Sequence, residues 1–127
     1  MRRVLVFGGR NFTDKKAVYN SLDLMAEWKQ SDIDGEGSTA SLYVISGCAR
    51  GADTLALDWA QFRECPTAEY PADWDQYGKV AGFLRNQEML SEDPDIGLMF
   101  PGGNGTRDMQ RRLFKARIPI VNGIVYG

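Results

Sequence analysis

The stretch Ile96-Gly97-Leu98-Met99-Phe100-Pro101-Gly102-Gly103-Asn104-Gly105-Thr106 decides the fold. Its apolar run reads as a short buried strand, its glycines as a tight turn, and the basic amphipathic segment from Asn104 to Arg117 as a helix. A strand that feeds a glycine turn and then a helix can aim successive backbone N–H groups at one anion, assisted by the positive end of the helix. Glycines permit positive φ and leave no Cβ between backbone and ligand. Pro101, Gly102, Gly103, Asn104, Gly105 and Thr106 therefore read as a phosphate cradle, with Thr106 either adding a hydroxyl donor or capping the helix.

The same strand-turn-helix unit recurs upstream. Val4-Leu5-Val6-Phe7 is a continuous apolar run ended by Gly8-Gly9-Arg10, the pattern of a strand buried on both faces. Thr13 or Asp14 caps the helix that follows, in which Val18, Leu22, Met25 and Trp28 recur at helical spacing; it is expected to end near Gln30 and to give way to an exposed polar loop from Ser31 to Ser41. Leu42 to Ile45 is a second strand, broken at Ser46-Gly47, and Ala52, Leu55, Ala56 and Trp59 mark one face of a second helix. Thr67 to Tyr70, between Pro66 and Pro71, reads as a short edge strand. An aromatic segment, Trp74 to Tyr77, precedes a helix over roughly Lys79 to Leu90, and Ile118 to Val121 supplies a fifth strand that Pro119 confines to an edge.

This alternation predicts a Rossmann-like α/β three-layer sandwich: a mostly parallel sheet of about five strands with helices on both faces, in one domain spanning residues 1–127. Ligands bind such sheets beyond the carboxyl ends of the strands, where strand order reverses. Three glycine turns, Gly8-Gly9, Gly47 with Gly51, and Gly102-Gly103-Gly105, all follow strands. They are expected to meet on one edge, with amides of Gly9, Gly47 and Gly103 turned toward an anion.

Composition removes several alternatives. The 127 residues, 43% hydrophobic and 25% charged, suffice for one core. A net charge of −2 argues against broad binding to nucleic acid. The chain has no histidine, and Cys48 and Cys65 lack a CxxC spacing, so the usual zinc sites and histidine-based triads are unavailable. No cofactor or dedicated metal site is expected; magnesium would come only with a phosphate ligand. The N-terminal apolar run is too short for a signal peptide and no run approaches a membrane span, so a cytoplasmic protein without a membrane partner is expected.

Several side chains could carry chemistry at the glycine edge. Arg10 would stand at its mouth, forking onto a phosphate or carboxylate, or else simply solvated. Ser46, Gly47, Arg50 and Asp53 belong to a run of small and polar residues that permits close approach; Asp53 either complements the helix dipole or accepts from a ribose hydroxyl. Cys48 reads as a small filler, with no histidine to activate it. Trp74 and Tyr77 could stack on a nucleobase or cover a hydrophobic rim. Arg85, beside Asn86 and among Ala81, Leu84 and Met89, reads as a partly buried guanidinium that needs an anionic partner from the chain or a ligand. In the basic final helix only Arg107 lies near enough to its start to contact a ligand.

The chain resembles the SLOG superfamily of Rossmann-like nucleotide-binding proteins, and within it the small YspA-type group. The resemblance rests on Val6-Phe7-Gly8-Gly9-Arg10, on Ser46 through Asp53, on Ala72-Asp73-Trp74 with Tyr77-Gly78, on Arg85-Asn86-Gln87-Glu88-Met89, and on Pro101 through Thr106. The second stretch also looks like its counterpart in DNA-processing protein A, and the last like the PGGxGTxxE motif of the LOG phosphoribohydrolases. In those enzymes, the resemblance implies, an arginine and the motif's glutamate cleave the N-glycosidic bond of a nucleoside monophosphate. Arg85 fits the arginine, but the glutamate position falls on Met109, with Asp108 one residue earlier and so about 100° round a helix. A thioether neither stabilises an oxocarbenium ion nor activates water.

Three functions follow as expectations. The first is a sensor or carrier that binds a nucleotide, with phosphate on the Gly102 to Thr106 turn and on Arg10 or Arg85. The second is an N-glycosidase acting on a nucleoside monophosphate or NAD-derived ligand, with Arg85 and either Glu88 or Asp108 as its catalytic groups. The third is an interaction module that has lost its ligand. The resemblance further implies a homodimer or larger oligomer.

Overall fold

Val4, Leu5, Val6 and Phe7 offer no polar side chain to water, so both faces of the strand they form must be covered. In the computed structural model, which describes residues 2–26 and 42–123, they lie in the central strand. The chain runs β1 (Arg2–Phe7), α1 (Lys15–Met25), β2 (Leu42–Ser46), α2 (Ala52–Phe62), β3 (Thr67–Glu69), α3 (Trp74–Tyr77), a 3-10 turn (Gly78–Val80), α4 (Ala81–Leu90), β4 (Ile96–Met99), α5 (Asn104–Lys115) and β5 (Ile120–Asn122). The strands form one sheet in the order β3-β2-β1-β4-β5, and every neighbouring pair is parallel. Val4 stands opposite Val44 and Ile96, and Val6 opposite Ser46 and Leu98.

The period of two along β1 divides the core. Val4 and Val6 pack with Val18 and Leu22 of α1 and with Ala56 and Trp59 of α2; Leu5 and Phe7 pack on the other face with Met89 of α4 and with Met109 and Leu113 of α5. Asp23 of α1 joins the first pair of helices, accepting from Trp59 Nε1 at 2.9 Å and from Arg63 Nε and Nη2 at 3.1 Å each. The Rossmann-like α/β reading and the edge positions of β3 and β5 hold.

Three boundaries differ from the sequence reading. α1 is capped by Asp14, whose carboxylate accepts from Ala17 N at 3.0 Å, and it closes at Met25 rather than near Gln30, with Ala26 N donating to Leu22 O. Eleven helical residues rise about 16 Å, enough to run back along a six-residue strand. Trp28 and the loop expected over 31–41 lie outside the described residues. The aromatic segment is helical: Asp73 accepts from Gln76 N at 3.1 Å to start α3, and Gly78, at φ +57°, turns the chain into α4. β5 begins at Ile120 because Ile118 N is engaged in closing α5 on Leu113 O, and Pro119 has no N–H to give.

Leu113 is 0% exposed and the adjacent Phe114 is 80% exposed. Leu113→Ala should cost about 2–5 kcal/mol and Phe114→Ala less than about 0.5 kcal/mol in urea unfolding. Equal costs would contradict the placement of α5 on the sheet.

Candidate functional site

The two helices that follow the β2 and β4 loops start without a side-chain cap, whereas α1 and α3 are capped by aspartates. Gly51 stands at the cap of α2 and Gly103 at the cap of α5. The first bond of α5 runs from Arg107 N to Gly103 O at 3.0 Å, which leaves the N–H groups of Asn104, Gly105 and Thr106 ahead of it. Thr106 makes no capping bond.

The three glycine turns meet on one edge of the sheet. Gly9 N donates to Pro101 O at 2.8 Å, and Ala52 N reaches Gly9 O at 3.4 Å. Gly51 sits at φ +81° with its Cα against the Gly9 carbonyl, where a Cβ would collide with backbone. A Cβ on Gly102 would strike the Thr106 hydroxyl and Gly9. The Gly9 amide is therefore not available to an anion, contrary to the sequence reading: it is what joins the first turn to the third. Gly8, intermediate in burial, packs against Ala52 and Phe100.

Between these turns and α4 lies a cavity of about 370 Å³, within the size of ordinary small-molecule sites. One wall is Gly8, Gly9 and Arg10, and another is Gly103, Asn104, Gly105 and Thr106. Asp53 lies in the lining, and Trp74, Arg85 and Asn86 complete it with Lys79 and Phe83. Gly47 and Arg50 line a smaller cavity alongside, and Pro101 and Gly102 face away, into a separate recess with Arg107. Arg107 Nη2 donates to Asn104 Oδ1 at 2.6 Å.

Asp53 is 5% exposed. Its Oδ2 accepts from Ala49 N at 3.3 Å and its main-chain oxygen accepts from Ser46 Oγ at 3.0 Å, but Oδ1 has no partner among the described residues. Burial pushes this carboxyl up to about 6, against the opposing pull of Arg85, of the Ala49 N–H and of Arg10. One carboxylate oxygen thus holds the loop, and the other is buried without a partner among the described residues. Ser46, by contrast, is fully buried, and its hydroxyl also accepts from Cys48 N at 3.2 Å.

Arg85 is the half-buried guanidinium that its apolar neighbours foretold. Nη1 donates to Gly47 O at 2.6 Å and Nε to Asn86 Oδ1 at 3.1 Å. Burial lowers its pKa, Asp53 opposes that shift, and the charge of Arg10 adds to it. Asn86 in turn clamps α4 to the start of α5, donating from Nδ2 to Gly105 O at 3.3 Å and to Asp108 Oδ2 at 3.1 Å. Arg10 is exposed, its guanidinium 5.0 Å from the Trp74 ring centroid.

The other two residues considered for catalysis stand elsewhere. Glu88 is exposed on α4 and does not line the cavity; Asp108 pairs with Arg112 Nε at 2.7 Å. Met109 is 1% exposed beneath Leu5 and Phe7. Tyr77 is exposed and outside the cavity lining. Sequence reasoning missed Lys79 and Phe83, because the 3-10 turn that carries Lys79 and leads into the first turn of α4, where Phe83 sits, had no visible signal. Among the described residues no group of three or more Cys, Asp or Glu side chains could hold a metal ion, and no helix is long and apolar enough to cross a membrane.

A parallel sheet in the order 3-2-1-4-5, with its cavity at the ends of β1 and β4 where the order reverses, defines a Rossmann-like α/β protein. The chain belongs to the YspA, cpYpsA-related SLOG family, whose model (YAcAr) matches residues 2–77. That match includes Gly8 to Arg10, Asp53 and Trp74 and stops before Arg85. Over 130 residues the chain is 39% identical to the Gene 61 protein of Mycobacterium phage D29, covering 96% of each. Among solved structures it is similar to DNA processing protein A (DprA) from Streptococcus pneumoniae, with 18% identity and a TM-score of 0.48; the alignment covers 95% of this chain and 58% of that one.

A carboxyl that ionises near pH 6 when folded and near 3.8 when free binds its proton more readily in the folded chain. Acid therefore favours the fold between about pH 4 and 6, and above 6 the buried anion weighs against it. Asp53→Asn should be more stable than the wild type at pH 7.5 by roughly 1–3 kcal/mol, with the gap closing as pH falls toward 4. Urea unfolding from pH 4 to 8 measures this, and a variant less stable at pH 7.5 would contradict it.

Proposed function

We propose that the cavity binds a nucleotide or nucleotide derivative and that the domain serves as its sensor or carrier. The observation that carries this reading is Asp53, a residue in the lining of the same cavity as the uncapped start of α5, whose buried Oδ1 has no donor among the described residues. A sugar hydroxyl satisfies the first and a phosphate the second, and a nucleotide has both. The phosphate takes the N–H groups of Asn104, Gly105 and Thr106, with Arg85, Lys79 and Arg10 around it; the base lies against Trp74. Membership of the SLOG family points to a nucleotide-related function and supports the same reading. We extend it to a homo-oligomer with no metal beyond magnesium accompanying the phosphate.

Binding without cleavage is favoured over the N-glycosidase. Met109 fills the position of the motif's glutamate inside the core, Asp108 is engaged by Asn86 and Arg112, and Glu88 does not reach the cavity. Thermal unfolding with a panel of nucleoside monophosphates and ADP-ribose tests the proposal. A ligand at a hundred times its dissociation constant should add about 2.7 kcal/mol, and Arg85→Ala should remove most of the shift. A panel that leaves Tm unmoved would refute nucleotide binding, and release of free base that depends on Arg85 would favour the enzyme.

A further inference from the structure

Resting on the nucleotide reading above, we propose that the ligand carries two phosphate groups set apart from one another, one for each of two adjoining cavities. The smaller cavity, of about 250 Å³, shares Arg10, Trp74 and Arg85 with the larger and adds Arg50. No carboxylate lines it. Arg10, stacked on Trp74, belongs to both linings, so a guanidinium with donors on several sides stands between the two spaces.

Charge decides the number of anionic groups. The chain as a whole is negative, at −2, yet Arg10, Arg50, Arg85 and Lys79 gather around these two cavities with Asp53 as the one carboxylate in either lining. None of the four cations forms an ion pair within 4.0 Å among the described residues. Three positive charges are thus in excess when Asp53 is ionised, and Arg10 already presses on Arg85. One phosphomonoester brings about −1.5 to −2, which leaves the excess unfinished. A second phosphate completes it, and Arg50, exposed and lining only the smaller cavity, is the cation placed to receive it. A nucleoside 3′,5′-bisphosphate presents this chemistry in its simplest form, with the ribose between the two anions.

Isothermal titration of the full chain with adenosine and guanosine 5′-monophosphates, 5′-diphosphates and 3′,5′-bisphosphates tests the proposal, in the wild type and in Arg50→Gln. The bisphosphate of one base should bind at least tenfold tighter than its monophosphate and tighter than the diphosphate, whose two phosphates are adjacent. Arg50→Gln should erase most of that advantage while the monophosphate weakens less than threefold. Bisphosphate and monophosphate binding alike, or an Arg50→Gln loss equal for both, would overturn the second site and leave the nucleotide reading standing. No binding by any of the six would overturn both.

Discussion

A strand with no polar face belongs in the middle of a sheet covered on both sides, and that demand of β1 governs the molecule. With β2 on one flank and β4 on the other, both parallel to it, the loops that leave β1, β2 and β4 open at the same edge. Nothing further is needed to bring together residues as far apart as Arg10, Asp53 and Gly105. The edge is then fastened by short backbone contacts, Gly9 N to Pro101 O and the close approach of Gly51 to Gly9, which only residues without a Cβ allow.

Fastening the loops this way leaves a local imbalance. The N-termini of α2 and α5 lack side-chain caps, and among the described residues Asp53 keeps one buried oxygen without a donor while the cations that line its cavity form no ion pairs. The buried oxygen is unfavourable alone, since an acceptor that has lost water and gained nothing costs about 1–3 kcal/mol. Elsewhere the chain settles such groups: Asp23 is saturated by Trp59 and Arg63, and Asp14 caps its helix. The unsettled groups gather on one cavity, which is where binding energy can be recovered from them.

The fold was legible in the sequence because its signals are local. Apolar runs, glycine turns and helical spacing are written into consecutive residues, and the prolines put the third and fifth strands at the edges, while the order of the three strands between them came only from the structure. Convergence of the glycine turns followed from that topology. What could not be read is long-range. Nothing in Gly9 says that its amide meets Pro101, or in Ser46 that its hydroxyl turns inward to Asp53. Lys79 reaches the cavity only because Gly78 redirects the chain between α3 and α4. The role of Asp53 was readable only as two alternatives, since nothing local says that Ala49 N would engage one oxygen and leave the other bare.

The most direct measurement is a crystal structure of the chain with a bound nucleoside monophosphate. Phosphate oxygens are expected within hydrogen-bond reach of the Gly105 and Thr106 amides, with a ribose hydroxyl donating to Asp53 Oδ1. A nucleotide seated away from this edge, or one that leaves Asp53 Oδ1 untouched, would contradict it.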